Sequence, residues 1–99
     1  MELKKIDFLV EVPRGGKIEH VQCYARKASA WASREYRKLM EDGETELAVV
    51  AIVQQCCVTE KYEPAFTEEE AQKLIDGDVI ADLYQVIAEL NEFGAEKKS

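Results

Sequence analysis

The sequence predicts an α+β domain, mainly α, in which an N-terminal β-hairpin packs on a bundle of about four helices. Three stretches predict it. Ile6, Phe8, Val10 and Val12 recur at every second position and fall on one face of a strand. The run Leu47-Ala48-Val49-Val50-Ala51-Ile52-Val53-Gln54-Gln55-Cys56-Cys57-Val58 has only two polar residues and no charge between Glu46 and Glu60. Val79, Ile80, Leu83, Val86, Ile87 and Leu90 recur at three- and four-residue steps, the pattern of an amphipathic helix. At 99 residues the chain makes one domain, hiding about 60–65% of its unfolded surface. One modest core is therefore expected over residues 1–94, with 95–99 a flexible tail.

The hairpin is expected over residues 6–26. Pro13-Arg14-Gly15-Gly16-Lys17 breaks the first strand, and the Gly-Gly pair supplies the positive φ of a tight reversal. In the second strand Val21, Cys23 and Ala25 share one face, and His20, Gln22, Tyr24 and Arg26 the other. A lone two-stranded hairpin is marginal in water, so its apolar face must lie on helices, and its open edges invite a second copy.

The first helix is expected over 29–41, with Ser29 as N-cap. Ala32, Tyr36, Leu39 and Met40 fall on one side, Trp31 at its margin, and Arg34, Arg37, Lys38 and Glu41 on the other. Asp42-Gly43 stops it, with Gly43 left-handed. Periodicity leaves the central apolar run open between buried strand and buried helix. Its length and the flanking Asp42-Gly43-Glu44-Thr45-Glu46 favour a helix over 45–58, buried on nearly all sides and too short for a bilayer, which needs about 20 apolar residues. An extended loop follows, kept out of helix by Pro64. Thr67 and Glu70 form a capping box for a helix over 68–75 that buries Ala71, Leu74 and Ile75. Gly77 ends it. Asp78 should cap the last helix, 79–93, and Gly94 should be its left-handed C′ residue.

The formal charge of −7 argues against nucleic-acid binding, which needs clustered Lys and Arg. The first residues lack the apolar segment of a signal peptide, so a cytoplasmic location is expected. Three cysteines, two of them adjacent, suit buried thiols in a reducing compartment better than a disulfide framework. No metal and no cofactor is expected: Cys23, Cys56, Cys57 and His20 show no paired Cys-x-x-Cys spacing. No enzyme is expected either. The sole histidine sits at a polar strand position, Glu68, Glu69 and Glu70 suit a helix N-terminus, and no P-loop, GxGxxG or Ca²⁺ loop is present.

What remains is surface. Arg26, Lys27, Arg34, Arg37 and Lys38 cluster in an otherwise acidic chain. Such clusters are commonly solvated helix faces; the functional reading is a docking site for an acidic partner or an acidic copy of the chain. Trp31, Arg34, Arg37, Lys38, Tyr62 and Phe66 are the candidate partner-binding residues. Core packing is the plainer reading for the aromatics, and Phe66 also stands where an apolar residue staples a helix start. Tyr62, in a polar loop, has the weakest structural reason to be there.

Three stretches carry a family resemblance. They are Glu11-Val12-Pro13-Arg14-Gly15-Gly16-Lys17 through Ala28-Ser29; Ala48 to Thr67, with its apolar helix ending in Cys and a loop closing Pro-Ala-Phe-Thr; and the terminal stretch from Val79 to Asn91 followed by Gly94. In this order the chain resembles the small tail assembly chaperones of long-tailed, lambda-like bacteriophages and prophages. The family's loop is often an acidic turn with Gly, whereas Glu60-Lys61-Tyr62-Glu63 has none. The resemblance implies a protein that binds the tape measure protein and keeps it soluble until tail tube subunits polymerise around it. It also implies a host-cytoplasmic protein absent from the mature virion. A longer product, made by frameshifting near Lys97-Lys98, would bind the tail tube protein. Homo-oligomers are expected; nucleic acid and membrane are not. The competing reading is a small acidic regulatory or nucleic-acid-mimicking interaction protein. Mimicry would need carboxylates in a continuous stripe, whereas here they gather at helix starts beside a basic cluster.

Overall fold

Two glycines set the geometry of the N-terminal third. In the computed structural model, which describes residues 3–93, Gly15 and Gly16 take φ of +57° and +79°, as a two-residue type I′ turn requires. Arg14 faces Lys17 across it. The strands on either side, β1 (Lys4–Arg14) and β2 (Lys17–Ala25), pair antiparallel. The expected inward face forms: Ile6, Val10, Val12, Cys23 and Ala25 are buried, Phe8 and Val21 half-buried. The ladder slips between Lys5 and Leu9, so residues 6–8 of β1 span the single residue 23 of β2. The Gln22 amide spans this bulge, donating to the Ile6 carbonyl at 2.7 Å and the Cys23 carbonyl at 3.1 Å.

Helix α1 (Ala30–Glu41) starts as its sequence dictates, the Ser29 hydroxyl accepting the Ala32 N–H at 3.1 Å. It ends in a Schellman motif. The Gly43 N–H reaches the Met40 carbonyl, the Glu44 N–H reaches that of Leu39, and Gly43 has φ +78°. Helix α2 (Thr45–Cys56) is two residues shorter than expected. Cys57–Val58 leave it as a third strand, β3, pairing antiparallel with Tyr24–Ala25, so the sheet order is β1-β2-β3. The physical reason is tertiary: the bare edge of β2 offers backbone partners that a longer helix would have left unsatisfied. The Arg26 N–H donates to the Cys56 carbonyl at this junction, 3.0 Å away.

The loop after β3 is a tight reversal rather than an extended segment. The Thr59 N–H donates to the Glu63 carbonyl at 2.7 Å and the Tyr62 N–H to that of Thr59 at 2.9 Å. Val58 then bridges Pro64. Tyr62 holds the left-handed conformation, φ +67°, that a glycine would adopt more readily.

Helix α3 (Glu68–Lys73) carries both bonds of the expected capping box and continues as a 3₁₀ turn over Leu74–Asp76. In α4 (Val79–Asn91) the two ends differ from expectation. Asp78 stands at the N-cap but in helical φ/ψ, and its side chain makes no capping bond. At the other end the left-handed C′ residue is Glu92, φ +56°, with the Phe93 N–H reaching the Ala88 carbonyl at 3.0 Å. Gly94 lies outside the described residues. Asn91, the last residue of the helix, ties it to the hairpin exit. Its Oδ1 accepts the Ala28 N–H at 2.8 Å, and its Nδ2 donates to the Ile87 carbonyl at 2.9 Å.

The core joins the inner face of the sheet to all four helices, with Phe66, Ile52, Leu83 and Ile87 among its largest fully buried side chains. Tyr36 stacks on Phe93 at 4.8 Å between ring centres and shares a hydroxyl–hydroxyl bond with Tyr84. All three cysteines are buried and free. Burial pushes the Cys23 and Cys56 thiols up to about 11, and Cys57 higher still. Buried thiols of this kind act as small hydrophobes rather than nucleophiles. No helix among the described residues is long and apolar enough to cross a membrane.

Candidate functional site

The central helix is not wrapped on every side. Leu47, Val50, Ala51, Gln54 and Gln55 recur at the spacing of one helical face, and this face floors an open groove. One wall is α1, through Trp31, Glu35, Lys38, Leu39 and Asp42; the other is α3, through Glu68 and Gln72. The main cleft measures about 540 Å³. It adjoins a second of about 420 Å³ that shares Leu47, Val50 and Gln72 and runs past Glu44 and Glu46 to Ile75. Trp31 and Leu47, large apolar side chains on its lining, leave 61% and 48% of their surface to solvent.

Each wall is held by bonds that the local sequence encodes. The Ser29 cap and the Gly43 stop fix the span of α1, so positions 31, 35, 38, 39 and 42 turn one face to α2. The start of α3 is fixed twice. Its capping box satisfies the first turn, and Arg14 reaches over from the hairpin. The Arg14 guanidinium donates to Glu70 Oε2 at 2.7 Å and Oε1 at 3.1 Å, to the Ala65 carbonyl at 2.8 Å, and to Glu19 at 3.1 Å. Arg14, together with the Thr67 N–H at 2.9 Å, holds the Glu70 carboxyl well below its ordinary range, at about 2. The Gln54 amide donates to the Phe66 carbonyl at 3.3 Å, joining the groove floor to the same corner.

The six candidate residues fall in four places. Trp31 and Lys38 line the groove. Arg34 and Arg37 lie with Lys38 and Glu41 along a second depression, also of about 540 Å³, on the other side of α1, and Lys38 borders both it and the groove. Tyr62 is 43% exposed at the tip of the 59–63 reversal and does not line the groove. Phe66 is a correction. It is 1% exposed and belongs to the core, at the staple position N′ with the equally buried Ala71 at N4. It offers a partner no surface.

The residues missed from sequence are Leu47 and the wall carboxylates Glu35, Asp42 and Glu68. A signal for the floor existed. Gln54 and Gln55, the only polar residues in the apolar run, stand seven and eight positions after Leu47 and so mark its exposed face. Among the described residues no cluster of three or more His, Cys, Asp or Glu could hold a metal ion.

No known protein family, curated protein or solved structure matches the chain.

Proposed function

We propose that this protein is a tail assembly chaperone of long-tailed bacteriophages or prophages, and that the α1–α2–α3 groove is where it holds the tape measure protein. The observation that carries the reading is the groove itself. An open channel floored by one helix and walled by two others suits the exposed apolar stripe of another helix. A long helical protein awaiting its tube presents many such stripes. The order of hairpin, apolar helix, Pro-Ala-Phe-Thr loop and terminal helix supports the same assignment. On this reading the protein acts in the host cytoplasm, self-associates along its client and leaves before the virion matures. A frameshifted longer product, diverging near Lys97-Lys98, adds affinity for the tail tube protein; those two lysines lie outside the described residues.

Two experiments test it. Reading the surrounding genes should show a tape measure gene downstream and a slippery run at the lysine codons. Co-expression should then move that tape measure protein from the insoluble to the soluble fraction, with the two co-purifying. A tape measure protein that remains insoluble beside abundant folded chaperone would sink the proposal.

A further inference from the structure

Charge is distributed unevenly about α1. One side carries Arg34 and Arg37 with Glu41, whereas the groove side carries Glu35 and Asp42, with Lys38 between the two. Across the floor stands Glu68, and the channel opens past Glu44 and Glu46 at the start of α2. Five carboxylates against one ammonium make the groove locally acidic, independently of the chain's net charge. The floor, by contrast, is apolar over most of its length. At a rise of about 1.5 Å per residue the twelve residues of α2 give a channel of about 18 Å, or three helical turns.

We infer that the groove selects a basic amphipathic helix of about three turns, its apolar stripe seated between Trp31 and Leu47 and its Lys or Arg residues facing the carboxylates of both walls. The inference rests on the groove being the binding site proposed above, and it specifies the chemistry of what enters. Apolar contact with the floor supplies affinity without sequence preference. The acidic rim supplies the choice, because a helix with the same stripe but acidic flanks would bring like charges together at the closest approach. Asp42, Glu44 and Glu46 concentrate charge at one end, so the client's basic residues should be densest at the end that lies there.

Trp31 is the only tryptophan and reports directly on occupancy. Three tryptophan-free peptides of equal length provide the test: a helical one with a leucine stripe and Lys/Arg flanks, one with the same stripe and Glu flanks, and the first with a central proline. The first should shift Trp31 emission to the blue and saturate, binding about tenfold or more tightly than either other peptide in low salt. Its advantage over the Glu peptide should shrink as salt rises. Leu47→Lys should remove this binding while leaving the circular dichroism of the protein unchanged. Glu35→Gln with Glu68→Gln should weaken it and flatten its salt dependence. Equal binding of the Glu-flanked peptide, or binding that survives Leu47→Lys, overturns the inference. So does Trp31 emission that shifts with protein concentration alone, which would mean that a second copy occupies the groove. The two proposals fail separately. A tape measure protein kept soluble by a protein indifferent to peptide charge leaves the chaperone reading standing without this specificity. Selective binding of the basic peptide with no effect on a tape measure protein does the reverse.

Discussion

Arg14 and Glu70, 56 residues apart in the chain, meet through two parallel hydrogen bonds of 2.7 and 3.1 Å. The pair fastens the last residue of β1 to the first turn of α3, and Glu70 simultaneously closes the capping box on the Thr67 N–H. Bidentate geometry of this kind fixes orientation as well as distance.

Replacing Glu70 by Gln separates its two roles, since Gln can still complete a capping box but carries no charge for Arg14. Glu70→Gln should destabilise the fold by about 1–2 kcal/mol at neutral pH. The native carboxyl titrates at about 2, against an ordinary 4.5. Because its native pKa is depressed, its contribution is complete above about 4.5 and is lost as pH falls toward 2. The difference in melting temperature between wild type and Glu70→Gln should therefore be constant above pH 5 and shrink through that window. A difference that does not change between pH 5 and pH 2.5 would contradict this.

Asn91 holds the end of α4 to the hairpin exit with one side chain. Asn91→Ala leaves the Ala28 N–H without its acceptor and should cost about 1–3 kcal/mol. In a domain this small that is a drop of about 4–8 °C in melting temperature per kcal/mol. An unchanged melting curve would show that water replaces the amide fully.

Glu92 occupies a left-handed position, φ +56°, and puts a negative charge at a helix C-terminus, where the dipole disfavours it. Glu92→Gly should raise stability by about 1 kcal/mol or more. Glu92→Ala, which removes the charge but keeps the Cβ, should recover only part of that gain in parallel thermal melts.

The two faces of α2 should respond oppositely to the same change. Ile52→Asp or Val53→Asp places an unpaired charge at a site 1% or 0% exposed. At several kcal/mol, against a total of about 5–15, it should abolish folding. Leu47→Asp, on the groove side, should fold and melt within about 1 kcal/mol of wild type. Soluble, cooperatively melting Ile52→Asp protein would mean that Ile52 does not face the core.

Local chemistry was legible where it was strong. The Gly15-Gly16 turn, the Ser29 cap, the Gly43 stop and the Thr67–Glu70 box each satisfy backbone groups within a few residues, so sequence alone carries them. Features set by distant partners were not. Cys57 and Val58 continue an apolar run without a break, and only the edge of β2 at Tyr24–Ala25 draws them out of helix. The sequence places the left-handed stop of α4 at Gly94, whereas it stands at Glu92, next to the Asn91 side chain that accepts the distant Ala28 N–H. The groove was half visible. Trp31 and Lys38 stood out as surface residues on α1, but Leu47 was hidden among apolar neighbours. Glu35, Asp42 and Glu68 gain meaning only once α1 and α3 are set on either side of α2.

The sheet's strand order bears on how the chain comes off the ribosome. β2 is central, yet its second neighbour, β3, is made only after two helices have been synthesised. Until then one edge of β2 stands open, and the inward face carrying Ile6, Val10, Val12, Cys23 and Ala25 waits longer still, for α4, which packs on both hairpin strands. Closing that loop brings the ordering entropy of some thirty residues into a single step. Folding should therefore be late and cooperative, with nascent chains released at residue 56 protease-sensitive and full protection reached only once α4, with Ile80, Leu83 and Ile87, is complete. This is a window of vulnerability to aggregation during synthesis.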